Sequence, residues 1–281
     1  MREPLKVLDL FSGIGGFSLG LERTGGFKTV AFCEIEEYPR RVLAKHWPGV
    51  PIHRDVRELR AEHVGAIDVI CGGFPCQDIS IAGKGAGIEG ERSDLWREYA
   101  RLIGELKPRW VIVENVAALL RRGMEVVLRD LATVGYDAEW HCIPASAAGA
   151  PHIRDRIWII AYPFHSNAHS LRPHRAAGDV WATESGHEQS SLTRSLGALL
   201  ADANRARLEG RGLDRQGADQ RIAGQGVRSF PGEWLPEPNV GRVAHGIPSR
   251  VDRLRGLGNA VVPQVVEILG KAILQAEAIA A

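Results

Sequence analysis

From Lys6 to Tyr162, short runs rich in Val, Ile and Leu alternate with longer stretches in which apolar residues recur every three or four positions. Runs that are apolar at nearly every position suit strands covered on both faces, and the longer period suits helices with one buried stripe. Strands are predicted near Lys6 to Leu10, Thr29 to Glu34, Ile67 to Cys71, Trp110 to Glu114, Ala138 to Ile143 and Ile157 to Tyr162. Helices are predicted over Gly16 to Arg23, Glu36 to His46, Asp94 to Leu106 and Met124 to Val134. This alternation predicts an α/β fold: a parallel, Rossmann-like sheet with crossover helices.

The pattern then fades. Phe164 to Gly232 is rich in Gly, Ala, Ser, Arg and His with little sustained periodicity, and its strong bases, from Arg172 to Arg228, are all arginine. Arginine forks suit phosphates and guanine edges. The acidic residues from Asp179 to Asp219 offset much of that charge, which equally suits a solvated insert. Order returns at the C-terminus, where Gly256 to Ala260 reads as a turn and Val261 to Ala280 as an apolar helix with Pro263 in its first turn. The chain is therefore divided at 1–161, 162–245 and 246–281, the last segment returning to the first.

With 281 residues, 44% hydrophobic and 25% charged, the chain can bury a full core. A net charge of +1 neither favours nor excludes a nucleic-acid partner. No uninterrupted apolar segment nears the roughly 20 residues that cross a bilayer, and the first residues lack a secretory signal. A cytoplasmic protein that engages no membrane is expected. Cys33, Cys71, Cys76 and Cys142 lack the spacing of a zinc or redox pair, so no metal is expected. Cys33, Cys71 and Cys142 read as buried small hydrophobes.

Three strand ends carry candidate chemistry. Asp9 to Gly16 forms a glycine-rich turn between the first strand and the first helix, where a nucleotide-like ligand meets backbone N–H groups. Ser18 stands where a dinucleotide fingerprint wants its third glycine, which disfavours a nicotinamide site. Glu34, about 20 residues on, is placed to accept from ribose hydroxyls, and Asp55 to meet an adenine amino group. The sequence Gly73-Phe74-Pro75-Cys76 ends the third long strand and presents a thiol before a glycine-rich loop able to close over a substrate. A thiol with an ordinary pKa of about 8.5 is a few per cent thiolate at neutral pH, enough for a soft nucleophile. Glu114 ends a very apolar strand, so burial should raise its pKa and let it donate a proton. Asn115 also fits a helix N-cap, and Arg154 and Arg156 alternate toward one side before the last strand.

With these residues assembled, the chain resembles the DNA (cytosine-5) methyltransferases, especially the short phage and prophage-like type. The resemblance covers roughly residues 5 to 161 and 240 to 275, with the motifs in the family's order. It implies the S-adenosylmethionine-dependent methyltransferase fold with a small, irregular target-recognition domain at 162–245. It implies S-adenosylmethionine held by Phe11, Gly13, Ile14, Gly15, Glu34, Ile35, Asp55, Val56, Pro75, Leu95, Asn259 and Val261. Cys76 would be the nucleophile and Glu114 the partner of the cytosine ring nitrogen, with Asn115, Arg154 and Arg156 completing the catalytic set. Gln77 and Ser80 would touch DNA as a cytosine is flipped from the duplex. The implied partner is double-stranded DNA, the implied assembly a monomer, and a cognate restriction endonuclease is a companion the sequence leaves open. The chain departs from the family at His152, where a glutamine is usual, and Arg250 to Leu254 stand in for the motif that leads into the final segment.

Three other functions compete. The same chemistry suits a cytosine in RNA, although the Cys-Phe-Thr signature of the tRNA-directed branch is missing. A binder without turnover would not need Cys76, Glu114 and Arg156 together. A nicotinamide-dependent oxidoreductase conflicts with Ser18 and leaves Cys76 without a task.

Overall fold

The computed structural model describes residues 3–75, 94–164 and 249–279. Strands β1 (Leu5–Leu10), β2 (Phe27–Cys33), β3 (Ile52–His53), β4 (Val69–Gly72), β5 (Trp110–Val116), β6 (Tyr136–Pro144) and β7 (Asp155–Pro163) form one sheet in the order β3-β2-β1-β4-β5-β7-β6. The first five are parallel, but β7 runs antiparallel to both β5 and β6. The expectation of a parallel sheet is therefore corrected to a mixed one. A strand covered on both faces, as Ile157 to Ala161 is, has the same apolar pattern in either direction, so its sequence does not fix its sense.

Helices α1 (Gly16–Glu22), α2 (Glu37–His46), α3 (Asp94–Leu106) and α4 (Met124–Thr133) fall on the predicted segments. Two more follow near the C-terminus, α5 (Arg250–Asn259) and α6 (Pro263–Ile279). Gly256 and Gly258, read as part of a turn, lie inside α5, and the break comes at Ala260. Pro263 opens α6, where its missing N–H leaves no helical bond unmade.

Successive strand residues feed opposite faces. On one face Leu8, Ile70, Val111 and Val113 pack with Trp96, Tyr99 and Leu102 of α3 and Val127 and Leu131 of α4. On the other, Val7, Cys71 and Ile112 pack with Phe17 and Leu21 of α1 and with Val265, Val266, Leu269 and Ile273 of α6. The apolarity of α6 is thus used in the core of the fold. Cys33 and Cys71 are buried as expected, whereas Cys142 is exposed, because β6 lies at the sheet edge.

Candidate active site

All the parallel strands end at one edge of the sheet, and the predicted chemistry gathers there. At the end of β1 the chain turns sharply, with Phe11 at φ 51° and Gly13 and Gly15 also at positive φ. Phe11 is not a residue that adopts this region readily, so the surroundings must impose it. The turn is tied down from several sides. Ser12 Oγ donates to the Asp9 carbonyl at 2.6 Å, and Ser18 Oγ donates to Asp9 Oδ2 at 2.7 Å. Asp9 is fully buried, and burial pushes its carboxyl up to about 8 despite the Ser18 bonds. A side chain at Gly15 would collide with the Trp47 ring, which fixes glycine at that position.

Glu34, just past β2, is buried at the floor of the turn. Its Oε2 accepts from Gly13 N at 2.8 Å and its Oε1 from Glu36 N at 2.7 Å. Burial raises the Glu34 pKa while those two N–H groups oppose the rise. Asp55, beyond β3, accepts from Arg57 Nε at 3.0 Å, and that hydrogen bond holds its carboxyl below the ordinary range.

At the end of β4, Phe74 is buried against Trp96, and a train of rings runs through Tyr99 to Phe11. Asn115 Nδ2 donates to the Phe74 carbonyl at 3.2 Å, so it tethers the segment leading to Cys76. Asn115 lies within β5, which corrects the N-cap reading: its side-chain amide is used across strands instead. Cys76, Gln77 and Ser80 lie outside the described residues.

Glu114 and Arg156 face each other across β5 and β7, with Arg156 Nε 3.0 Å from Glu114 Oε1. Burial pushes the Glu114 carboxyl up, and Arg156 and then Arg154 pull it back. The direction is upward because desolvation is the largest influence on this nearly enclosed group. A Cβ at Gly73 would sit 2.8 Å from Glu114 Oε2, so glycine is what lets the β4 end pass beside the carboxylate. Arg154, at φ 34°, donates from Nη2 to the Ala260 carbonyl at 2.9 Å and joins this wall to the α5–α6 junction.

One cavity of about 660 Å³ connects these parts. Of the predicted catalytic residues, Glu114, Asn115, Arg154 and Arg156 line it. Of the predicted cofactor residues, Phe11, Gly13, Glu34, Ile35, Asp55, Val56, Pro75, Leu95 and Asn259 do so. Ile14, Gly15 and Val261 are not on its wall. Ile14 lies beneath Gly256, and the Val261 side chain packs over Gly16. The sequence reading missed Tyr38, Arg54, Arg57, Asp252 and Arg255, which complete the rim. Arg255 Nη2 meets Glu36 Oε1 at 2.8 Å, bringing α5 against the start of α2. No local sequence signal marks this pair, since the partners are more than two hundred residues apart.

The donor set fits S-adenosylmethionine. No atom lies within 4 Å of where a Gly13 side chain would be, so the turn leaves open space there. Beside it stand a carboxylate with lone pairs to spare at Glu34, an exposed apolar side chain at Ile35 and the Phe11 ring. The volume is that of a pocket for a compact ligand.

The family model for C-5 cytosine-specific DNA methylases matches residues 5–210. Among curated relatives, the chain is 38% identical over 168 residues to the Type II methyltransferase M2.BsuMI of Bacillus subtilis, covering 57% of this chain and 42% of that protein. It is 34% identical over 163 residues to the Type II methyltransferase M.HgiBI of Herpetosiphon aurantiacus, covering 56% of this chain and 37% of that protein. The chain thus spans less than half the length of these relatives. A solved structure described as a DNA modification methyltransferase encoded within an E. coli prophage superposes with a TM-score of 0.59 at 21% identity, covering 96% of this chain and 98% of that one, and shares the fold. The family model spans most of the sequence and includes the strand ends that build the cavity, so this chain belongs to the C-5 cytosine-specific DNA methylase family.

Proposed function

We propose that this protein is a site-specific DNA (cytosine-5) methyltransferase, moving a methyl group from S-adenosylmethionine to carbon 5 of a flipped-out cytosine through a covalent Cys76 adduct. The observation that carries the reading is the buried Glu114, paired with Arg156 at 3.0 Å on the wall of a cavity that also holds Glu34 and Phe11. Bound there, the cofactor supplies an electrophilic methyl group on a sulfonium. Phe11 and Ile35 offer apolar surface to its adenine, Glu34 accepts from its ribose, and Asp55 and the Gly13 turn bound the rest.

The Cys76 thiolate adds to carbon 6 of the cytosine while Glu114 gives its proton to ring nitrogen 3. The electron pair released onto carbon 5 would take up the methyl group as the sulfur–methyl bond breaks, the sulfonium leaving as a neutral thioether. Loss of the carbon 5 proton to a base then expels the Cys76 thiolate, and ring nitrogen 3 returns its proton to Glu114, which restores the neutral aromatic ring. Arg156 keeps Glu114 aimed and neutralises charge near the base carbonyl, and Arg154 supports that wall from Ala260. Asn115 sets the approach of Cys76 through the Phe74 carbonyl. Gln77 and Ser80 touch the duplex, and 162–245 reads the target. The chain works as a monomer in the cytoplasm, and its Type II relatives make a cognate restriction endonuclease the companion to seek.

The purified protein, incubated with S-adenosylmethionine and mixed-sequence DNA, should yield 5-methylcytosine in one sequence context by mass spectrometry and conversion sequencing. Modification of tRNA in place of DNA would move the substrate to RNA. Cys76→Ala should abolish transfer and leave cofactor binding nearly intact, and methylation retained by that variant would remove Cys76 from the mechanism.

A further inference from the structure

Most described arginines have partners. Arg41, Arg57, Arg101, Arg109, Arg129, Arg156 and Arg255 pair with carboxylates, and Arg40, Arg60 and Arg154 donate to backbone carbonyls. Arg23, Arg54, Arg121 and Arg122 are exposed, and their guanidinium groups meet neither an acid nor a carbonyl among the described residues. Arg23 ends α1 at the edge of the sheet away from the cavity. Arg54 lines the cavity itself. Arg121 and Arg122 lie outside the cavity yet on its side of the sheet, because they close the short 3-10 turn Ala117–Arg121 that leaves β5 directly after Glu114, Asn115 and Val116.

That turn packs against β7, and Val116, from which it springs, is the register partner of Arg156. Six residues at about 2 Å rise place Arg122 roughly 12 Å along the chain from Val116. A nucleotide whose base lies against Glu114 must have its flanking phosphates outside the cavity mouth. Two adjacent guanidinium forks with no acid to satisfy them among the described residues leave their donors open on that side of the sheet, and phosphate oxygens match their geometry. Buried Leu119 anchors the turn to the core, so the pair is held on a fixed base.

We propose that Arg121 and Arg122 form a phosphate-binding site for the DNA backbone beside the catalytic pocket, distinct from the target-reading segment. The inference rests on DNA being the substrate. Each phosphate neutralised releases condensed counterions, and the two contacts together should contribute about 1.8 to the slope of log affinity against log salt.

The test compares wild type, R121Q/R122Q and R121K/R122K, all as the full chain, binding a fluorescent mixed-sequence duplex over a salt series, with cofactor binding as a check on folding. Between about 50 and 200 mM salt the wild type should lose about 12-fold more affinity than R121Q/R122Q, and R121K/R122K should restore most of the difference. Equal slopes for wild type and R121Q/R122Q would overturn the phosphate site. Methylation by the wild type is assayed on the same DNA. A slope difference without 5-methylcytosine supports the phosphate contacts and counts against the proposed reaction instead.

Discussion

Glu114 shows how a single side chain is tuned by opposing neighbours. Its burial raises the pKa and Arg156 restrains the rise, so the carboxyl is poised to release a proton and then be stabilised as an anion. In the proposed reaction it acts in its protonated form, which is present below its pKa and lost above it. Turnover should therefore fall on the alkaline side as Glu114 ionises. Glu114→Gln should slow transfer by roughly a hundredfold or more, the scale of a lost general acid, and its pH–rate profile should lack the limb due to Glu114. A variant that keeps the wild-type limb would assign that titration to another group. Glu114 stood out because a carboxylate follows four apolar residues, but the expectation that it ends the strand is corrected: β5 runs on to Val116, paired with β7. The need for glycine at Gly73 was not legible, because it arises from the approach of two strands that are forty residues apart in the chain.

At the scale of elements, the helices and strands followed from periodicity, since burial on a stripe or on both faces is written locally in the sequence. What escaped was set by partners. The two-residue β3 carries no repeat of its own and exists because β2 offers it an edge. The α5 glycines read as a turn, although one face of that helix lies against Ile14 and Tyr38. The close seating of α1 on α6 has a further consequence. A Cβ on Gly20 would stand 2.5 Å from the Pro263 carbonyl oxygen and 2.6 Å from Val266 Cβ, both too rigid to give way without moving α6. Gly20→Ala should gain helix propensity and still destabilise the protein by about 1–3 kcal/mol through overpacking. Urea unfolding followed by circular dichroism would read this as a lower midpoint with unchanged slope, and an unchanged or higher midpoint would show that the helices separate at no penalty.

At the scale of the whole molecule, the chain closes on itself. Residues 249–279 are far from the cofactor turn in sequence, yet α6 supplies much of one core face and α5 supplies part of the cavity rim. Residues 249–279 share a core with the sheet that residues 3–164 build, so the first stretch lacks part of its cover without them. Without α6, Phe17, Leu21, Val69 and Ile112 would lose the side chains that cover them, and each large apolar side chain left uncovered forfeits about 1.5–3 kcal/mol of burial. That loss is comparable with the whole stability of an ordinary domain, about 5–15 kcal/mol. A chain ending at residue 248 should therefore fail to give a cooperative unfolding transition or to bind S-adenosylmethionine. Leu269→Ala in the full chain removes part of the same cover and should lower stability by about 2–5 kcal/mol while leaving the transition cooperative. Cooperative unfolding of the truncated chain at the wild-type midpoint would mean that the catalytic sheet folds without its C-terminal helices, and the interlocked core described by α1 and α6 would then be dispensable.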